Sequence, residues 1–280
     1  MSLSIVDTAC YYFLLFIIYS FMGWLYESIW CSFCEGKLVN RGFLAGPFCP
    51  VYGFGALLVI LTLSDVKDNL LALFFASIVV TNTLEYLTSY ILEKCFAVRW
   101  WDYSHYRFNL NGRVCLLGAA AFGAMSVLLL HIIHPWVLSS IERLSQPAFY
   151  LLSGVFLGAM LFDLATTVKH LLSLNGRLAE IQAALEQYAG QYKERAEQKV
   201  DTLQLALSER FENSEFASER IRSLINLRKF QDRRLLSAFP RMRSTKYTEA
   251  FEKIRPHILS KKDKKSTVSE EEPHGRNENA

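Results

Sequence analysis

The stretches GWLYE (Gly23–Glu27) and KLVNRGFLAGPFCPVYGFG (Lys37–Gly55) decide how this chain is read. Glu27 sits inside an apolar run that begins at Ala9, and Lys37 and Arg41 follow within fifteen residues of it. An ionisable residue in a membrane-length segment costs roughly 2.5 kcal/mol or more, so it faces a protein interior or a wet cavity rather than lipid. The Gly- and Pro-punctuated entry to the next apolar run, through Pro47 and Pro50, leaves backbone N–H groups free at a helix start. Together these features point to a polar site within a membrane bundle.

Outward from that stretch, the apolar residues form five segments: Ala9–Trp30, Pro47–Leu63, Leu70–Leu92, Val114–Ile133 and Ala148–Val168. A helix needs about 20 residues to cross a bilayer. The second segment is the shortest; it reads as a full span in preference to a re-entrant one, because Pro is tolerated in a first helical turn. The expected fold class is all-α, with about five transmembrane helices followed by a long cytoplasmic coiled-coil-like helix.

Charge divides the chain. Residues 1–168 carry 8 Lys/Arg and 10 Asp/Glu, and residues 169–280 carry 22 and 17. The expected domains are a transmembrane unit over 1–168, an amphipathic or coiled-coil helix over 169–245 and a basic, largely disordered tail over 246–280. Loop charge alternates: the first link holds Lys37 and Arg41, the second only Lys67, the third Lys94, Arg99, Arg107 and Arg113, and the fourth only Arg143. By the positive-inside rule the N-terminus lies outside, the C-terminus is cytoplasmic, and the protein is a multi-pass component of the cell membrane. The first apolar run lacks a basic n-region and a cleavage site, so it reads as a retained helix.

Beyond the fifth segment Leu174, Leu178, Ile181, Leu185, Tyr188 and Tyr192 alternate in steps of four and three, a seam for a coiled coil or homo-oligomer. Val200, Leu203, Leu207 and Phe211 continue it, and one helix is expected from about Asn175 to Phe239, ended by Pro240. Its later part, with Arg220, Arg222, Arg228, Lys229, Arg233 and Arg234, suits either an anionic membrane surface or a solvated paired helix.

Three carboxylates fall at similar depth: Glu27, Glu85 and Asp163. Ser20 and Gly23 share the Glu27 face, and Asn82 and Ser89 share that of Glu85, while Gly154 and Gly158 before Asp163 are spaced for close helix approach. The expected site is a cavity open to the cytoplasm, with Arg41 and Arg113 as counter-charges. The plainer account is local neutralisation that only fixes packing. In the third link Trp100, Trp101 and Tyr103 suit a membrane interface, and Asp102 and Asn109 add hydrogen-bonding groups for a structured loop or cover. The six cysteines form no disulfide framework, and Cys31-Ser-Phe-Cys34 has neither a second pair nor suitably spaced histidines to make a metal site. With no P-loop the chain does not hydrolyse ATP by that route, and neither a cofactor nor nucleic acid is expected.

GWLYE, NRGFLAGPFCPVYG (Asn40–Gly53), LEYL (Leu84–Leu87) and the run from Trp100 to Leu116 resemble the bacterial family labelled putative ABC-transporter type IV, or putative ABC transporter permease. The resemblance covers roughly Tyr12–Val168. It implies a polytopic inner-membrane protein with a permease-like role and a separate ATPase subunit as partner. Two alternatives stand beside a transport component: a scaffold that recruits cytoplasmic partners through the C-terminal helix, and a membrane enzyme acting on a lipid head group.

Overall fold

The first helix starts where the sequence supplies a reciprocal cap. Ser4 Oγ accepts from the Asp7 backbone at 3.1 Å and Asp7 Oδ2 accepts from the Ser4 backbone at 3.0 Å, satisfying two N–H groups left free at a helix start. From there α1 runs Ile5–Glu35 and stops at Gly36, whose φ of 64° is the left-handed conformation that ends helices. A computed structural model of the chain describes residues 4–196 and 229–259. In chain order α1 is followed by α2 (Pro50–Leu63), α3 (Leu70–Phe96), α4 (Leu116–Leu128), a π turn (Leu129–Ile133), α5 (His134–Glu142), α6 (Gln146–Ala196), α7 (Lys229–Ala238) and α8 (Thr248–Leu259).

Among the described residues four helical stretches are long and apolar enough to cross a membrane: Ile5–Cys34, Leu70–Phe96, Leu116–Glu142 and Gln146–Gln187. The expected fourth segment, Val114–Ile133, thus extends to Glu142, because α4, the π turn and α5 follow one another without a loop. The expected fifth continues without a break into the helix that carries the Leu174 seam. The second segment is shorter, α2 with a 3₁₀ turn at Ser64–Val66. Large apolar side chains point outward from these helices: Phe21, Leu25 and Ile29 on α1, Phe75 and Val79 on α3, Leu151, Val155 and Phe162 on α6. In water such surface is unfavourable by about 25 cal/mol per Å²; in lipid it is solvated.

The chain divides into two compact units, Met1–Ser173 with Ala238–Thr245, and Leu174–Ser237 with Lys246–Ala280. In the first, Leu14, Leu15 and Tyr19 of α1 pack with Val59, Ile60 and Leu63 of α2, Leu73 of α3, Leu129 and Leu130 of the π turn, and Val137 and Ile141 of α5. This core lies at the end of the bundle away from Glu27, here called the far end; the other is the motif end. Within the core Tyr19 Oη lies 2.7 Å from His134 Nδ1, a polar pair at the point where the π turn rejoins the α-helix. A Cβ added at Gly154 or Gly158 would meet nothing within 4 Å among the described residues, so the small residues of α6 do not bring another described helix close.

The described residues are all-α apart from two small ladders. Asn109–Leu110 (β2) pairs antiparallel with Val114–Cys115 (β3), and Val98–Arg99 (β1) pairs with Arg243–Ser244 (β4). The second ladder joins residues 144 or more positions apart that no local pattern connects. Within the second unit Leu174, Leu178, Ile181 and Leu185 are each at most 5 % exposed, so the chain itself covers these four positions of the seam expected to pair with another molecule. Ala250 N donates to Gln182 Oε1 at 3.2 Å, and Ala250, Phe251 and Ile254 of α8 are buried. The helix Thr248–Leu259 replaces the first part of the expected disordered tail; Phe251 and Ile254, three apart, give it the buried face that tail composition obscured. The continuation through Val200, Leu203, Leu207 and Phe211, the basic run Arg220–Arg228, and residues 261–280 lie outside the described residues.

Candidate functional site

The motif GWLYE works by spacing. Gly23 and Glu27 lie one turn apart on α1, and a Cβ at Gly23 would collide with the Tyr52 ring. With no side chain there, Tyr52 of α2 lies against α1 and its hydroxyl reaches Glu27 Oε1 at 2.8 Å. Gly53 repeats the device, since a Cβ there would strike Ser20 Oγ and the Phe16 carbonyl. Cys49 N donates to the Ser20 carbonyl at 2.9 Å, fixing the register between the loop and α1.

The loop between α1 and α2 is stitched along the motif end of α1. Val39 N donates to Ser32 Oγ at 3.0 Å and Arg41 N to Ser28 Oγ at 3.2 Å. Trp24 Nε1 donates to Asn40 Oδ1 at 2.7 Å, and Asn40 Nδ2 donates to the Ala45 carbonyl at 2.9 Å. Asp163 closes the loop from α6: its two oxygens accept from Ala45 N at 3.0 Å and Gly46 N at 2.8 Å, with Thr167 Oγ1 on the same carboxylate at 3.2 Å. These bonds place Asp163 on the loop backbone rather than beside Glu27 and Glu85. The backbone N–H groups of Ala45 and Gly46, just before the Gly/Pro entry, thus meet a carboxylate of the chain itself.

So positioned, Arg41 Nε stands 3.4 Å from Glu27 Oε2, both side chains being less than a third exposed. Glu85, 8 % exposed on α3, lies near the Tyr103 hydroxyl and within the electrostatic reach of Glu27. Burial, then the charges of Glu85 and Glu27, push the Tyr103 hydroxyl far above the ordinary phenol value, so at neutral pH it keeps its proton. Two carboxylates, two tyrosine hydroxyls and one guanidinium therefore gather at the motif end. Sequence alone does not single out Tyr52 and Tyr103 as partners of the carboxylates, and by position Tyr103 reads only as an interface aromatic.

Arg113 belongs to a second cluster. It is 7 % exposed; Nη2 lies 2.8 Å from Glu93 Oε2, Nη1 donates to Ser89 Oγ at 3.0 Å, and the rings of Tyr86 and Tyr90 flank it at 5.6 and 5.5 Å. Arg99 Nε shares Glu93 at 3.2 Å. The counter-charge of Arg113 is thus Glu93 rather than Glu27 or Glu85, because Glu93 and Ser89 lie one turn apart on the face that meets the third link. Asn82 bonds within its own helix, Nδ2 to the Ile78 carbonyl at 2.7 Å.

The third link is a built structure. Asn111 and Gly112 have φ of 53° and 67°, and Arg113 N donates to the Leu110 carbonyl at 3.0 Å, closing a turn whose two central residues are both left-handed. Asn109 fastens it through Nδ2 to the Tyr106 carbonyl at 2.7 Å and Oδ1 from Gly112 N at 2.8 Å. Asp102 accepts from Ser104 N at 3.0 Å and pairs with Arg243 at 3.1 Å. Burial pushes the Asp102 carboxyl up, but the Ser104 hydrogen bonds and the charges of Arg243 and Arg99 outweigh it and hold the carboxyl below the ordinary value. Trp100 is 2 % exposed, packed against Phe43 at 5.2 Å and Phe239 at 5.1 Å. It is a core residue of the loop and not the interface residue that its position beside Trp101 suggests.

No curated protein and no solved structure matches the chain. A family model does match, over residues 14–168, more than half of the 280 residues and the part that holds every contact of the Glu27, Glu85 and Arg113 clusters described above. By that match the chain belongs to the family described as "Putative ABC-transporter type IV".

Proposed function

We propose that the protein is a permease-like transport component of the cell membrane whose working site is the Glu27–Arg41–Tyr52–Glu85–Tyr103 cluster. The observation that carries this reading is the cluster itself. Five polar side chains from α1, the first and third links (the two motif loops), α2 and α3 converge inside the family-matched unit. Helix packing alone does not require so many hydrogen-bonding and ionisable groups in one place, and in a membrane each is costly to keep. Glu27 has both its oxygens engaged and a cation beside it, whereas among the described residues no cation pairs with Glu85. A proton or a small cationic group suits such a site better than an anion does.

The reading includes five crossings, with the N-terminus outside and the motif end in the cytoplasm. α2 with its 3₁₀ turn is about 27 Å long, close to the roughly 30 Å hydrocarbon thickness. Its first turn lies beside Ser20 and Glu27, and its last residues join the far-end core with Leu73 near the start of α3. Because α3 is span-length and returns to the motif end at Glu85 and Ser89, a short α2 that failed to cross would leave α3 without a starting point at the far end. Lys37, Arg41, Arg99, Arg107 and Arg113 then all fall on one side. An ATPase subunit is part of the proposal, and co-purification in mild detergent identifies it. Self-association would use a surface other than the Leu174–Leu185 seam, which the chain already covers.

Tyr52→Phe and Tyr103→Phe test the site with little change in packing. Each removes one hydroxyl from a carboxylate, and complementation in cells lacking the endogenous copy is expected to fall about tenfold, or ~1.4 kcal/mol, at unchanged membrane abundance. Full activity of both variants contradicts a working site and favours a scaffold.

A further inference from the structure

The eight residues Ala238–Thr245 fall in the same compact unit as Met1–Ser173, although their neighbours in sequence, Ser237 and Lys246, belong to the other. They touch both motif loops. Arg41 donates to the Ala238 carbonyl at the end of α7, a helix terminus with free acceptors and partial negative charge, and its Cζ lies 4.8 Å from the Phe239 ring. The same ring meets Trp100 edge-on. Further along, Val98 pairs with Ser244 and Arg99 with Arg243, and Thr245 N donates to the Ala97 carbonyl at 2.9 Å. Arg243 reaches Asp102 at 3.1 Å, and Arg241 Nη1 lies 2.7 Å from His105 Nε2. Phe239, Met242 and Ser244 are 7, 0 and 2 % exposed, so the segment is seated rather than draped over the surface.

Two features distinguish this seat from ordinary core. Its fastenings are individually weak: a two-residue ladder at a sheet edge, an ion pair whose Arg243 is half exposed, one cation–π contact. And Arg41, the cation of the Glu27 cluster, is held from both directions, by the carboxylate on one side and by Ala238 and Phe239 on the other. Anything that lifts Phe239 uncovers Trp100 and frees the guanidinium together.

We propose that Ala238–Thr245 is a latch: seated, it closes the motif loops over Arg41, and released, it opens the Glu27–Arg41–Tyr52 cluster to water. Both ends of the latch are joined to the second unit, so that partner binding or rearrangement there sets its position. The inference concerns access and does not rest on what the cluster carries.

Thiol labelling of the full chain in mild detergent tests it. Cys34 and Cys95 are exposed and Cys10 and Cys31 partly so; all four are replaced by Ser, as is Cys115, whose cap on Gly118 a Ser oxygen can keep. One reporter is Met242→Cys with Cys49 also replaced; the other is native Cys49, 7 % exposed and three residues before Tyr52, whose backbone N–H donates to the Ser20 carbonyl. With Phe239→Ala and Arg243→Glu together, a water-soluble maleimide is expected to label each reporter about tenfold faster, since the rate follows the open population, while Phe239 intact with Arg243→Lys stays slow. Release of Met242→Cys without faster labelling of Cys49 overturns the latch, because the segment then covers nothing. Continued protection of Met242→Cys also overturns it, making the segment a fixed part of the fold. An equal increase in the Arg243→Lys protein signals general loosening and counts against it.

Discussion

Glu27→Gln and Glu85→Gln are each expected to lower complementing activity by at least about tenfold, with the protein still folded and present in the membrane. Gln keeps an acceptor for the Tyr52 hydroxyl but leaves Arg41 without the counter-charge it has at 3.4 Å. At position 85 the amide keeps the shape and an acceptor near Tyr103 and removes the carboxylate. If the two carboxylates act as one unit, the double variant loses about as much as either single one, where independent sites would multiply. Activity equal to the parent in both single variants would make the cluster structural and move the scaffold reading to the front.

The second large effect is on folding. Gly53→Leu is expected to destabilise the protein by about 3 kcal/mol or more, read as a lower melting temperature and poor recovery from mild detergent. The added side chain meets the Phe16 carbonyl and Ser20 Oγ, and backbone cannot step aside as a flexible side chain does. Gly23→Leu is expected to behave similarly by displacing Tyr52, with loss of the Glu27 hydrogen bond in addition. Gly154→Leu and Gly158→Leu serve as controls, because nothing stands within 4 Å of either position. Equal losses at all four positions would mean that helix propensity or membrane insertion governs the outcome, and not the α1–α2 crossing.

The contrast between these glycines shows what the sequence can disclose. The run Gly23–Gly55 announces a polar site, because Glu27 interrupts an apolar segment there and Lys37 and Arg41 follow it. It cannot tell that Gly23 makes room for Tyr52, since a tyrosine in an apolar run carries no periodic signal and its partner lies on another helix. Gly154 and Gly158 carry the stronger local signal and pack against none of the described residues. Sequence marks Arg113 as a cation in need of an anion, but three glutamates lie within reach of its links and only the fold selects Glu93. The return of Arg243–Ser244 to β1 is not legible at all, because a two-residue ladder has no pattern to read.

That Glu27, Glu85 and both motif loops face the cytoplasm, with α2 crossing beside α3, is the claim on which the rest depends. Labelling of single introduced cysteines by a membrane-impermeant maleimide in intact cells tests it most directly. Ile5→Cys, 89 % exposed at the start of α1, and Asp68→Cys, exposed in the link from α2 to α3, are predicted to react in intact cells. Asn109→Cys, exposed in the third link, is predicted to react only after the membrane is opened. Protection of Asp68→Cys, or reaction of Asn109→Cys in intact cells, would contradict the five-crossing arrangement and its cytoplasmic site.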